Sequence, residues 1–363
     1  RFSRFSYICI MRRIIFAAVA AIMCSACAQA DAKAVLPDGD YWAVVNISSA
    51  YMRAEARYSS ECVSQTRMGT LVQVLERKGY WVKVRTPEPY EGWVNELALA
   101  PTSALTSAQQ KKAGEWSPKL SPLSRTGAEE YLRRPKYICN AEYTHVFSCP
   151  SDTAARVSDL LMSDIILSRE TPAQGPWLAV ETPQGPPGWV RECEVKPFSE
   201  WAMRRWAEIH GGSKMDGGKM PEGLIAQQMI ERAKLFMGVP YMWGGMSIKG
   251  FDCSGLVGMC FFMQGILLPR DASQQVLCGE EVAFEDMQPG DLIFFGNTSV
   301  GHVGLYIGDG RMIHSSQVVR INSLDPSQPD YYGRNILHIR RILGHIDDGT
   351  GASTIKTSTL YFF

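Results

Sequence analysis

The sequence predicts an α+β domain over residues 224–346, preceded by two small β-barrels over 36–100 and 136–197. Two observations carry this. Residues 79–96 (GYWVKVRTPEPYEGWVNE) recur as residues 175–192 (GPWLAVETPQGPPGWVRE), with Trp81 and Trp93 spaced as Trp177 and Trp189 are. Each copy alternates in the manner of a strand around a Pro/Gly turn, so each is a hairpin of a small all-β unit. After residue 224 the order becomes helix, helix, then strands, which is the order of an α+β domain.

Taken in order, Met11 opens a stretch with the features of an export signal over residues 1–30. Arg12 and Arg13 form a basic start, IIFAAVAAIMCSAC an apolar core, and Ala28-Gln29-Ala30 a small-x-small cleavage site. The apolar run is short for a membrane span, so no integral span is expected in the mature chain. Cys24 and Cys27 lack the apolar-then-small run of a lipidated cysteine. Residues 101–135 read as a connector with a short helix at 126–133. Residues 199–210 have helical spacing, and 211–223 (GGSKMDGGKMPEG) is a glycine-rich linker. GLIAQQMIERAKLFMG is an amphipathic helix ending at Gly238, and DCSGLVGMCFFMQG a helix broken at Gly265. DLIFF (291–295), HVGLYIG (302–308) and RMIHSS (311–316) are strands. Residues 347–363 show no amphipathic pattern and read as a loose tail.

Composition excludes some classes of partner. The whole chain has a formal net charge of zero. Residues 1–30 hold four arginines and no acid, so their removal leaves 33 basic and 37 acidic residues. That balance is a poor match to nucleic acid or to anionic lipid. Seven of the ten cysteines follow residue 30, at positions 62, 139, 149, 193, 253, 260 and 278. An odd number leaves at least one thiol outside any intrachain bridge. The absence of a CxxC pair there argues against a structural zinc site.

The chemistry centres on FDCSGLVG, residues 251–258. Cys253 opens a helix after a glycine-rich loop. Free N–H groups and the positive end of a helix dipole would lower its pKa and offer an oxyanion donor. A thiol nucleophile needs a base. His302 and His314 flank a hairpin with Gly308-Asp309-Gly310 at its tip. A three-residue loop would put both on one sheet face, about 7–8 Å apart, whereas a two-residue turn would put them on opposite faces. Each residue alone also has a plainer reading, as a buried filler, a structural histidine or a helix N-cap at Asp252. A Cys/His/His zinc site has no obvious fourth ligand. Together the three fit a relay in which Cys253 attacks, His302 takes the proton and His314 orients His302.

At this point a resemblance enters. PYMWGG, FDCSGL, PRDAS, MQPGDLIFF, GHVGLYIGDG and MIHSS, in this order, resemble the NlpC family of papain-like cell-wall cysteine peptidases over most of residues 224–345. The strand-turn-GWV endings resemble bacterial SH3-like domains. The whole arrangement is similar to exported γ-D-glutamyl-L-diamino acid endopeptidases. The resemblance implies a peptidoglycan stem peptide or muropeptide fragment as substrate and no metal or cofactor. It gives Cys253 as nucleophile, His302 as base and His314 as orienter. It implies that Tyr241 aids the oxyanion or positions substrate, and that Trp243 walls the pocket. It also implies that Asp252 pairs with a free N-terminal ammonium and Ser254 bonds the D-Glu, with Arg270 and Ser273 near its α-carboxylate. In the first SH3-like copy, Tyr90 and Glu61 would close the end of the cleft; the second copy has Pro186 in place of the tyrosine. Two rival readings are a wall-binding protein with an inactive catalytic domain, and an amidase or acyltransferase on the same scaffold.

Overall fold

In the computed structural model, the residues described are 39, 41–100, 122–183, 187–211 and 218–362. The export signal, Cys24, Cys27 and Pro186 lie outside them, as do residues 101–121 and 212–217 of the connector and linker.

The internal repeat is a repeat of topology. The first unit is a six-stranded antiparallel sheet of β1 (Trp42–Val44), β2 (Ala50–Arg53), β3 (Cys62–Thr66), β4 (Leu71–Lys78), β5 (Trp81–Arg85) and β6 (Glu91–Asn95), in the order β1-β4-β5-β6-β2-β3. Helix α1 (Arg125–Arg133) leads to the second unit. That unit comprises β7 (Lys136–Cys139), β8 (Tyr143–Phe147), β9 (Arg156–Leu161), β10 (Ile165–Ser168), β11 (Trp177–Glu181) and β12 (Pro187–Arg191), with β13 (Val195–Pro197) added at its edge. Its order, β13-β7-β10-β11-β12-β8-β9, repeats the first strand for strand. Trp81 faces Asn95 across the first hairpin and Trp177 faces Arg191 across the second, the same register. Both tryptophans are buried, as alternation on a half-buried sheet requires.

The third unit surrounds an apolar helix. After α2 (Phe198–His210) and α3 (Glu222–Leu235), the short strands β14 (Met246–Ser247) and β15 (Gly250–Phe251) pair and feed α4 (Cys253–Phe262). Helix α4 reads CSGLVGMCFF and is buried on nearly every side, as a helix apolar all round must be. It packs on α3 and on a six-stranded sheet ordered β17-β22-β18-β19-β20-β21. Those strands are β17 (Glu280–Glu281), β18 (Leu292–Gly296), β19 (Val300–Gly308), β20 (Arg311–Ser316), β21 (Val318–Ser323) and β22 (Ile336–Arg341). Between helix and sheet run β16 (Ile266–Leu267) and the one-turn helix α5 (Ala272–Gln275).

The expectation of a loose tail is corrected. Strand β23 (Ser353–Thr354) pairs with β16, and Ile355, Leu360 and Tyr361 are buried. The Tyr361 ring packs against Phe198 and Phe262. The segment has no amphipathic period because it docks as a two-residue strand and isolated anchors. All seven cysteines after residue 30 are free thiols.

Candidate active site

Cys253 is the first residue of α4 and is buried. Asp252 caps the helix, its Oδ1 accepting from the backbone N–H of Gly255 at 2.6 Å. The helix start lies close against the preceding loop: a Cβ on Gly255 would fall 2.0 Å from the carbonyl oxygen of Gly245. On the sheet side, the Ser315 hydroxyl donates to the carbonyl of Phe251 at 2.7 Å. The residues leading to Cys253 are therefore tied to the strand that carries His314. The Cys253 sulfur accepts backbone N–H groups of Val303, next to His302, and of Ser254.

The hairpin joining the histidines differs from the expected loop. Its turn has only two residues, Asp309 and Gly310, both with positive φ (52° and 65°), between paired Gly308 and Arg311. A two-residue turn alone would have parted the histidines. A bulge between Tyr306 and Gly308 shifts the register by one, so Leu305 faces Ile313 and both histidines share a face. The Nε2 of His302 lies 2.7 Å from the Nδ1 of His314, and the Nε2 of His314 lies 2.9 Å from the Oδ1 of Asn322. The Tyr332 ring stands edge-on to His314 at 4.5 Å.

Electrostatics overturn a second expectation. The helix start does not leave Cys253 as a ready thiolate. Burial, reinforced by the Asp252 carboxylate, pushes its pKa up to about 11, against the two backbone donors and Arg270. Burial pushes His302 down to about 3, with His314 and Arg334 adding to it, and His314 down to about 4. At rest the thiol and both imidazoles are neutral, the protonation states from which a proton moves in step with attack.

Before Cys253 opens a cavity of about 280 Å³. Tyr241, Trp243, Asp252, Ser254 and Ser273 line it, and the first unit contributes Val63 of β3 and the strand-flanking Glu61 and Tyr90. That unit is held in place by polar bonds. Gln65 Oε1 accepts from the Met246 backbone N–H at 2.9 Å and from the Ser247 hydroxyl. At Gly244, with φ 76°, a Cβ would meet the Cys62 carbonyl at 2.5 Å. Tyr241 is fixed by its backbone N–H donating to Gln317 O at 2.7 Å, and burial pushes its phenol up to about 12.

Arg270 bonds two of the residues that line the cavity. It is buried, and its guanidinium donates to both oxygens of Asp252 (2.5 and 3.2 Å), to the Ser254 hydroxyl (2.9 Å) and to Ser64 of the first sheet (2.9 Å). The Asp252 charge is thus spent on an internal ion pair. Asp271, not singled out from sequence, lines the cavity and accepts the Tyr90 hydroxyl. Burial, with the adjacent Asp271 carboxylate, pushes Tyr90 up to about 12. Asn322 and Tyr332 were also missed. Asn322 lies across from Met312 on β21, diagonal to His314, and only the strand pairing reveals that. Among the described residues, no three His, Cys, Asp or Glu side chains form a metal-binding group, and no helix is long and apolar enough to cross a membrane.

Comparisons with known proteins agree with this geometry. Residues 238–341 match the NlpC/P60 family and residues 48–99 the bacterial SH3 domain. The chain is 26% identical over 298 residues to a dipeptidyl-peptidase 6 of Lysinibacillus sphaericus, covering 80% of this chain and 94% of that one. It is 30% identical over 292 residues to a γ-D-glutamyl-L-lysine dipeptidyl-peptidase of Bacillus cereus, covering 77% and 75%. Its fold is similar to the crystal structure of an NlpC/P60 family protein from Bacillus cereus, with a TM-score of 0.61 and 24% identity, covering 83% of this chain and 99% of that one. The chain belongs to the NlpC/P60 family of cysteine peptidases.

Proposed function

We propose that this chain hydrolyses the γ-D-Glu–diamino acid bond of peptidoglycan stem peptides, and that it does so outside the cytoplasm. The observation that carries the substrate reading is the cavity itself. Cys253 lies in a space of about 280 Å³ that the first unit narrows with Glu61, Val63 and Tyr90. Such a site suits a short peptide end rather than the middle of a long chain.

The reaction proceeds in two stages. The Cys253 thiol gives its proton to His302 as its sulfur bonds to the γ-carbonyl carbon of D-Glu. The C–N bond breaks, and the diamino acid leaves with that proton. Water, deprotonated by His302, then hydrolyses the thioester and restores the thiol. The backbone N–H of Cys253 at the helix start and the Tyr241 hydroxyl serve the oxyanion.

A free N-terminal L-Ala fits the charges at the closed end. Asp252 is neutralised by Arg270, so Glu61 and Asp271 are the cavity carboxylates available to an ammonium. This moves the amine anchor from Asp252 toward Asp271. The export reading rests on the basic-apolar stretch from Met11 to Ala30. The test is digestion of L-Ala-γ-D-Glu-diaminopimelate and its lysine counterpart, each with a free or acylated amine, read by mass spectrometry. Release of L-Ala-D-Glu from the free-amine peptides, lost in Cys253→Ala, is expected. Products with the γ-bond intact would overturn the reading.

A further inference from the structure

We infer that Asn322 is a positioning residue: it sets the tautomers of both histidines and so leaves Nδ1 of His302 a bare acceptor. This rests on the assignment of Cys253 and His302 to the peptidase reaction; the tautomers themselves follow from the hydrogen bonds and the burial of both rings.

The Asp330 carbonyl fixes the Asn322 amide. The side-chain nitrogen of Asn322 lies 2.5 Å from the carbonyl oxygen of Asp330. A carbonyl oxygen only accepts, so the amide has one permitted orientation, with Nδ2 toward Asp330. The reverse orientation would press two acceptors together at that distance. The carbonyl itself is anchored: it also accepts the backbone N–H of Ser323, and Tyr332 N–H donates back to Ser323 O. The Asp330 side chain is held by Arg311.

With the amide fixed, Oδ1 faces His314 Nε2 at 2.9 Å, so that nitrogen must carry a hydrogen. A neutral imidazole has one N–H, which leaves a lone pair on Nδ1 of His314. That lone pair faces His302 Nε2 at 2.7 Å, so the hydrogen of His302 resides on Nε2. Its Nδ1 is then a bare acceptor, the form a general base needs. Each step has one solution because both rings are neutral. They are buried, and the charged side chains that act on them, Arg320 and Arg334, are cations that disfavour imidazolium. Asn322 is itself buried. The relay therefore ends in an amide whose direction is read from the backbone, not in a carboxylate.

The test uses the full chain labelled with ¹⁵N-histidine. Long-range ¹H–¹⁵N spectra near pH 7 read which ring nitrogen carries the hydrogen, without any substrate. Both His302 and His314 are expected as Nε2–H tautomers. Asn322→Leu should mix the tautomers and lower kcat at least tenfold with KM changed less than about twofold, since a wrong tautomer disables the base. Asn322→Asp keeps an acceptor toward His314 but sets its second oxygen against the Asp330 carbonyl, so it should retain the Nε2–H tautomer of His314 only at a cost in thermal stability, while moving the acid limb of the kcat/KM profile to higher pH. Wild-type His302 protonated on Nδ1, or unchanged tautomers in Asn322→Leu, would overturn the inference. If Asn322→Leu does not fold, the wild-type spectrum alone still decides. Correct tautomers with no cleavage of the stem peptide would count against the substrate reading and leave this one standing.

Discussion

The buried histidine pair makes the protein's stability sensitive to mild acid, and the effect has a definite size. His302 is held near 3 and His314 near 4, against about 6.5 in an unfolded chain, chiefly because burial penalises the charged ring. For a base depressed by folding, the unfolded state binds the proton first as pH falls. The stabilisation is therefore complete above about 6.5 and is lost as pH drops from there toward 3 to 4. Between pH 7 and pH 5, each histidine removes about 2 kcal/mol, so the pair removes about 4 kcal/mol. Carboxylates elsewhere titrate too, so the comparison must be internal. A double variant, His302→Asn with His314→Asn, lacks both titrating rings. Denaturant unfolding followed by circular dichroism, at pH 7 and pH 5, should show wild type losing about 4 kcal/mol more than the variant. A difference below about 1 kcal/mol would refute the claim that both rings are buried neutral.

Three further outcomes follow from the site. Cys253, pushed up from 9.0 to about 11, should react with iodoacetamide at pH 7 roughly 100-fold more slowly than an unshifted thiol; peptide mapping in which Cys253 is alkylated faster than the exposed Cys149 and Cys193 would mean a thiolate–imidazolium pair instead. Arg270→Met strands the buried Asp252 carboxylate and should destabilise the protein by roughly 3–5 kcal/mol, with Asp252→Asn recovering part of it; a loss under about 1 kcal/mol by thermal unfolding contradicts the internal ion pair. Asp271→Asn and Glu61→Gln should raise KM for free-amine peptides several-fold while leaving blocked peptides unaffected, and equal effects on both would remove these acids from amine recognition.

Much of the site was legible as local chemistry. A cysteine at a helix start, announced by Asp252 and a glycine-rich loop, is a pattern of neighbours along the chain. The repeat was equally plain, because Trp81 and Trp177 recur with their turns. The rest depends on non-local partners. Asp252 looked available to substrate until Arg270, 18 residues on, was found bonded to both its oxygens. The thiol was expected to be acidic because helix-start donors are local, whereas the burial that outweighs them belongs to the packed domain. Asn322 stayed hidden because the turn from β20 to β21 pivots on Gln317 at φ 66°, with no glycine to signal a hairpin.

The amino-acid sequence by itself determined the repeat, the order of elements and the set of reactive side chains, since these follow from periodicity, turn residues and short-range spacing. Tertiary structure alone decided that the histidines share a face, through a bulge that no composition signals. Glu61 and Tyr90 of the first unit, which only the family resemblance had put at the cleft, line the cavity of the third unit through the packing of the two. Register and docking depend on which surfaces bury each other, and that is a property of the whole fold rather than of any one segment.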